Sequence, residues 1–208
     1  MSQPSTDINS SLATVDLKQL RTWLLDFFCQ SAYQEGDFVL SSGQRSTYYI
    51  NGKQVTLHPL GALAIGRLLL DLLPTETQAV AGLTLGADPM VSAVSVVSAY
   101  ENQPIVALII RKQAKGHGTM AYIEGPQLPQ GSQVVVLEDV VTTGQSALKA
   151  VNRLQDAGYQ VNQIIALVDR QQGGTQLYQE AGLKFTALFT IDQLKAWKSE
   201  VSGENTAN

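Results

Sequence analysis

The sequence holds a single cysteine, Cys29, which excludes an intramolecular disulfide framework. It lies in the apolar stretch Trp23-Leu24-Leu25-Asp26-Phe27-Phe28, so a packed thiol is expected rather than a nucleophile. Histidine is nearly as scarce, with only His58 and His117. No Cys/His cluster with metal-ligand spacing results, and no dedicated metal site is expected. The longest apolar run is too short to cross a bilayer. The N-terminus shows no basic-then-apolar leader, so a cytoplasmic protein without membrane association is the expectation. Positive charge is also limited: 14 Lys and Arg stand against 18 Asp and Glu, a net charge of −4 that disfavours nonspecific nucleic-acid binding. A Walker loop and a dinucleotide fingerprint are both missing.

What is present suits one α/β domain. The 44% hydrophobic content over 208 residues is ample for a single core. Residues 1–14 are rich in Ser, Thr, Gln and Asn and are expected to be disordered, as is the tail 199–208, leaving one domain over 15–198. A first helix is predicted from about Asp16, an N-cap, to Ser31. Short strands around Phe38-Val39-Leu40 and Thr47-Tyr48-Tyr49-Ile50 flank the turn Ser41-Ser42-Gly43-Gln44 and suggest a small N-terminal hood lobe. A helix follows from about Leu60 to Leu73, stopped by Pro74, with His58 at its start. Strands are then predicted at 79–84, 105–110, 133–138, 163–168 and 184–189. Helices alternate with them at 88–100, from about Ala147 to near Gly158, and at 175–180. Such alternation argues for a mainly parallel sheet flanked by helices, with right-handed crossovers.

Two segments carry chemistry. Val134-Val135-Val136-Leu137 reads as a buried strand, with Glu138 and Asp139 at its expected end. Val140-Val141-Thr142-Thr143-Gly144-Gln145-Ser146 then leads into a helical pattern. Ligands of open α/β sheets sit beyond the carboxyl ends of strands. A small Gly-containing turn at a helix start offers unpaired N–H groups to a phosphate. Carboxylates beside it can accept hydrogen bonds from sugar hydroxyls, so a phosphorylated sugar is indicated. Neighbouring strand residues point to opposite faces, so both acids meet one sugar only if the chain is already turning there. The second segment is Arg111-Lys112-Gln113-Ala114-Lys115-Gly116-His117-Gly118, a basic, glycine-containing loop in an acidic protein. The stretch 111–126 has no regular period, and loops of that length in compact domains are usually functional. Arg21, Arg67 and Arg153 fall on predicted helices and are read as solvated or salt-bridged.

The acid pair followed by Thr-Thr-Gly resembles the phosphoribosyl-pyrophosphate (PRPP) motif of type I phosphoribosyltransferases. The Arg-Lys-x-x-Lys-x-His-Gly loop is similar to the catalytic loop of the orotate phosphoribosyltransferase family. Phe38 to Tyr49 resembles that family's N-terminal segment, and Leu167-Val168-Asp169-Arg170-Gln171-Gln172-Gly173-Gly174 resembles its orotate-binding strand end. The resemblance spans about residues 35–185. It implies transfer of a phosphoribosyl group from PRPP to orotate in pyrimidine synthesis. It implies that Glu138 and Asp139 face the ribose 2′ and 3′ hydroxyls and that Val140 to Ser146 hold the 5′-phosphate. Arg111, Lys112, Lys115 and His117 would bind pyrophosphate, and Thr142, Arg170, Tyr48 and Tyr49 orotate. Lys115, His117 and Asp139 would be the catalytic groups. It further implies Mg²⁺ carried mainly by PRPP and a homodimer with shared sites.

At two places the chain departs from the pattern. Many bacterial members have lysine at Ser41 and another near Gly86-Ala87, and Lys53, in Asn51-Gly52-Lys53, is the candidate for a partly compensating cation. The competing readings are a phosphoribosyltransferase for another base and a non-catalytic PRPP-binding regulator. The latter usually appends a nucleic-acid-binding module, for which residues 1–35 offer little room.

Overall fold

The computed structural model describes residues 12–39, 45–115 and 122–204. The elements, in chain order, are α1 (Leu17–Ser31), β1 (Tyr33–Val39), β2 (Arg45–Ile50), α2 (Lys53–Thr56), α3 (Pro59–Leu72), β3 (Ala79–Leu83), α4 (Asp88–Tyr100), β4 (Val106–Ile110), β5 (Ile123–Glu124), β6 (Gln133–Val141), α5 (Gln145–Asp156), β7 (Gln160–Asp169), α6 (Gly174–Glu180), β8 (Lys184–Thr190) and α7 (Ile191–Glu204). Six strands form one sheet in the order β5-β4-β3-β6-β7-β8. All neighbours run parallel except the short β5, which is antiparallel to β4. The mainly parallel sheet expected from the alternation is present, and β1 and β2 form a separate antiparallel pair, the hood.

The alternation of side chains along each strand divides the core in two. Val135 and Leu137 of β6, with Ile165 and Leu167 of β7, face α1, α3, α4 and α7. Val134 and Val136, with Ile164 and Ala166, face α5 and α6. Both faces are covered, which is why these strands read as continuous apolar runs rather than alternating ones. The chain leaves β3 toward β4 and returns to β6 on the other side of β3. The carboxyl ends of β3 and β6 therefore bound the crevice where strand order reverses, the usual ligand position in such sheets.

Several expectations change here. The central strand does not end at the acids: its ladder with β7 continues through Val140↔Val168 and Val141↔Asp169. β7 is longer than 163–168 at both ends. The tail expected to be disordered from 199 is helical as far as Glu204, at the end of α7. Leu194 on α7 buries against the α1 side of the core, which gives this helix a reason to persist. Within the stretch assigned to an N-terminal tail, Leu12 is buried and its carbonyl accepts from Arg67 Nη1 at 2.7 Å. Cys29 is packed as expected, and burial pushes its thiol up to about 12. Among the described residues no helix is long and apolar enough to cross a membrane.

Candidate functional site

The turn after β6 is built to leave amides open. Gly144 has φ +84° and stands at the N-cap of α5, where no side chain accepts from the first N–H groups. α1 differs: the Asp16 carboxylate accepts from Lys18 N at 3.0 Å and Gln19 N at 3.1 Å. α1 thus satisfies its own orphan donors, whereas α5 presents its donors to whatever fills the cup. A cavity of about 90 Å³ lies there, lined by Glu138, Val140 to Ser146 and Tyr178. Gly144 is required sterically as well, since a Cβ on it would lie 2.9 Å from the Tyr178 ring.

Glu138 and Asp139 are neighbours on the strand crest, and their carboxyl groups come close enough to interact directly. Glu138 lines the cup, buried, with Oε2 lacking a partner. Burial first, then the Asp139 charge, raises its carboxyl from 4.5 to about 8, with Lys112 partly opposing. Asp139 lies beside Gly52, at the start of α2, and Gly86 of the turn after β3. A Cβ at Gly86 would come within 2.5 Å of Asp139 Oδ1. A side chain at Gly86 would require the Asp139 carboxylate to move. The two strand ends across the crevice meet at this point.

Arg170 follows the last residue of β7, with its N–H donating to the Val141 carbonyl at 2.9 Å. Its side chain is buried, and Nε donates to Tyr48 Oη at 3.2 Å while Nη2 donates to Ser46 Oγ at 3.3 Å. The guanidinium also lies over the Tyr48 ring, 4.7 Å from its centroid. Asp169 shapes this turn by accepting from Gln171 N at 2.7 Å and Thr175 Oγ1 at 3.2 Å. No carboxylate pairs with Arg170 among the described residues. A guanidinium whose neighbours here are hydroxyls and a ring keeps donors that suit an anion.

Tyr48 and Tyr49 separate. Tyr48 is buried against Arg170, and Tyr49 lies on the exposed face of β2 against Phe38. Adjacent strand residues cannot both face the same pocket, so the structure brings only Tyr48 to Arg170. Ser46 was missed by sequence reasoning. Its two-residue spacing from Tyr48 was the available signal, since it places both on one face.

The basic segment starts directly after β4. Arg111 Nη1 donates to Glu124 Oε1 at 2.8 Å, and Lys115 Nζ stands 3.7 Å from the same oxygen. The Arg111 hydrogen bond first, and then the Lys115 charge, hold the Glu124 carboxyl below its ordinary range. Lys112 is exposed and near enough to influence Glu138. His117 and Ser41 lie outside the described residues.

The helical arginines are not salt-bridged or merely solvated. Arg21 Nη2 donates to the Leu188 carbonyl at 2.8 Å, and Arg67 Nη1 to those of Leu12 and Val15 at 2.7 and 3.0 Å. Arg153 donates to the carbonyls of Arg111 and Lys112. A guanidinium carries five donors in a fixed fork and can bind two carbonyls at once.

Comparison with known proteins agrees with this geometry. The family model described as uracil phosphoribosyltransferase matches residues 78–193. A protein of Nostoc sp. named orotate phosphoribosyltransferase is 75% identical over 183 residues, covering 88% of this chain and 89% of its own. The crystal structure of Mycobacterium tuberculosis orotate phosphoribosyltransferase in complex with Fe(III) dicitrate superposes with a TM-score of 0.75 at 35% identity, covering 84% of this chain and 98% of that one. The same enzyme in complex with PRPP gives 0.71 at 32% identity, covering 85% and 99%. Shared identity across nearly the whole of both chains, on a shared fold, establishes that this chain belongs to the orotate phosphoribosyltransferase family.

Proposed function

We propose that the chain transfers the 5-phosphoribosyl group from PRPP to N1 of orotate, giving orotidine 5′-monophosphate and pyrophosphate in pyrimidine biosynthesis. The observation that carries this reading is Arg170, a buried cation beside the cup with no acidic partner among the described residues. Orotate differs from uracil by a carboxylate, and a guanidinium fork is suited to that group.

The open amides of Val140 to Ser146 receive the 5′-phosphate. Glu138 and Asp139 accept hydrogen bonds from the ribose 2′ and 3′ hydroxyls. Thr142, Arg170 and Tyr48 hold orotate. Tyr49 joins them only if the hood moves or another subunit closes on it. Arg111, Lys112, Lys115 and His117 take the pyrophosphate. The Glu138 and Asp139 oxygens are hard donors, and the orphaned Glu138 Oε2 fits a hard cation. Mg²⁺ would be faced by these two carboxylates while bound mainly through PRPP, and would offset phosphoryl charge.

Pyrophosphate leaves ribose C1 through an oxocarbenium-like transition state, by analogy with glycoside chemistry. Orotate N1 attacks the opposite face with inversion as its N–H bond breaks, and the proton passes to the departing pyrophosphate, whose growing charge accepts it, so no separate strong base on the protein is needed. The protein contributes orientation and neutralisation of the departing charge, with Lys115 and His117 aimed at pyrophosphate. The active form is a cytoplasmic homodimer with shared sites, and sedimentation analysis tests the dimer.

The test is loss of orotate's ultraviolet absorbance on adding PRPP and Mg²⁺, run in parallel with uracil and adenine as acceptors. Turnover of orotate alone is expected. Turnover of uracil at a matching rate would remove the carboxylate argument, and no turnover at all would favour a PRPP-binding regulator. Arg170→Ala should raise KM for orotate while leaving KM for PRPP unchanged. An equal rise in both would reassign Arg170.

A further inference from the structure

The carbonyls of Arg111 and Lys112 stand just past the end of β4, where the parallel ladder no longer supplies donors. Both accept from one side chain. Arg153 Nη1 donates to the Arg111 carbonyl and Nη2 to the Lys112 carbonyl, the latter at 3.0 Å. The same guanidinium stacks on Tyr122, 3.9 Å from the ring centroid. Tyr122 in turn accepts from Arg111 N through its carbonyl at 2.8 Å. Arg153 therefore seats the residues on both sides of the basic segment's base. It does so from α5, about two and a half turns beyond the cup that Gly144 opens.

We infer that Arg153 is a positioning residue for PRPP: α5 makes the 5′-phosphate cup at its start and, through Arg153, fixes the pyrophosphate-binding Arg111 and Lys112 at a set distance from it. One rigid helix then sets the spacing between the two charged ends of a single substrate. The inference rests on the roles proposed above for Arg111 and Lys112. A lysine at this position has no second fork of donors and cannot hold both carbonyls in one plane. The geometry of this contact is independent of the carboxylate-binding half of the site, since Arg170 follows β7 and its partner Tyr48 lies on β2.

Two fragments of the substrate separate the two ends. Inorganic pyrophosphate reads the Arg111–Lys112 side, and ribose 5-phosphate reads the cup. Calorimetric binding of each, with Mg²⁺ present, is measured for the full chain and for Arg153→Met, which keeps the aliphatic stem over Tyr122. Arg153→Met is expected to weaken pyrophosphate binding and to raise KM for PRPP by on the order of ten- to a hundredfold. Ribose 5-phosphate binding and KM for orotate stay unchanged, and Arg153→Lys recovers part of the loss. Equal weakening of both fragments, or of neither, overturns the inference. Where Arg153→Met does not fold, Tyr122→Leu removes the stacked ring and is expected to give the same split with smaller amplitude; an unsplit response again overturns it. Lys112→Ala separates this inference from the reading beneath it. If pyrophosphate binding survives Lys112→Ala, the proposed role of the segment falls and the inference with it. If Lys112→Ala weakens binding but Arg153→Met does not, the inference alone falls.

Discussion

The turn from Val140 to Ser146 and the segment from Arg111 to Lys115, the two places proposed to meet phosphoryl groups, present positive charge by opposite means. The first uses backbone. Its N–H groups stay open because Gly144 takes a left-handed conformation and no side chain caps α5. The second uses side chains on partly exposed residues, two of which, Arg111 and Lys115, lean on Glu124. A backbone cup is fixed once the strand and helix form, at no cost in side-chain entropy. Long cationic side chains have to be gathered each time, but they can follow charge as it moves from ribose to the leaving group. The division matches the chemistry proposed: the 5′-phosphate is a static handle, and pyrophosphate is where charge develops.

The sharpest way to separate the two is Lys115→Ala. If this side chain meets charge that grows as the bond breaks, kcat falls by about 10²–10³. KM for PRPP changes far less, because the ground state keeps its cup. Steady-state kinetics with PRPP varied at saturating orotate checks this. A rise in KM with kcat intact would make Lys115 a binding residue only.

The cup should resist side-chain changes and yield to a backbone one. Gly144→Ala forces a non-glycine residue to φ +84° and sets its Cβ against the Tyr178 ring. Strain of this kind costs about 1–3 kcal/mol. PRPP and ribose 5-phosphate should weaken on the order of tenfold or more, and the melting temperature should drop. Unchanged ribose 5-phosphate affinity would mean that the turn is not the phosphate site.

The contrast also explains what the sequence made legible. The cup could be read because backbone sites leave a fixed signature: Gly at a required positive φ, small hydroxyl residues, and a buried strand before them. The basic segment was visible as charge against an acidic background. Arg170 was found through the resemblance of its strand end. What escaped was tertiary. Nothing local said that Tyr48 would turn inward and Tyr49 outward until β2 had a partner and a core. Nothing marked Arg153 as different from any helical arginine, since its acceptors are carbonyls more than forty residues away in sequence. The acids were expected at a strand end, but strand pairing runs past them because β7 is long enough to hold Val141 in register.

Glu138 belongs to the rigid side, and its burial has a signature in pH. The fold prefers the neutral acid: its carboxyl ionises near 8 when folded, against an ordinary 4.5. Between these values the unfolded chain releases a proton that the folded chain keeps. Stability from this group is therefore fully present below about 4.5 and is lost as pH rises toward 8. The difference in melting temperature between Glu138→Gln and the parent, followed across that window without ligand, isolates the effect. The variant should gain on the parent as pH rises. A constant difference would show that Glu138 is ionised throughout and that the cup is wetter than its burial suggests.

The smallest effect is expected at Glu124, on the mobile-charge side of the comparison. Its partners Arg111 and Lys115 are substantially exposed, so Glu124→Gln should barely move the melting temperature. Its consequence lies in ligand binding. Glu124 and pyrophosphate both require the Lys115 ammonium, and the ammonium cannot satisfy both fully. Removing the resident carboxylate should tighten inorganic pyrophosphate by a few-fold at low salt, with the gain fading near ~1 M salt as screening takes over. Titration of the variant and the parent at two ionic strengths decides the matter. Weaker binding in Glu124→Gln would mean that the carboxylate arranges the two cations for the ligand instead of competing with it. The segment would then be partly preorganised, and its difference from the backbone cup would be one of degree.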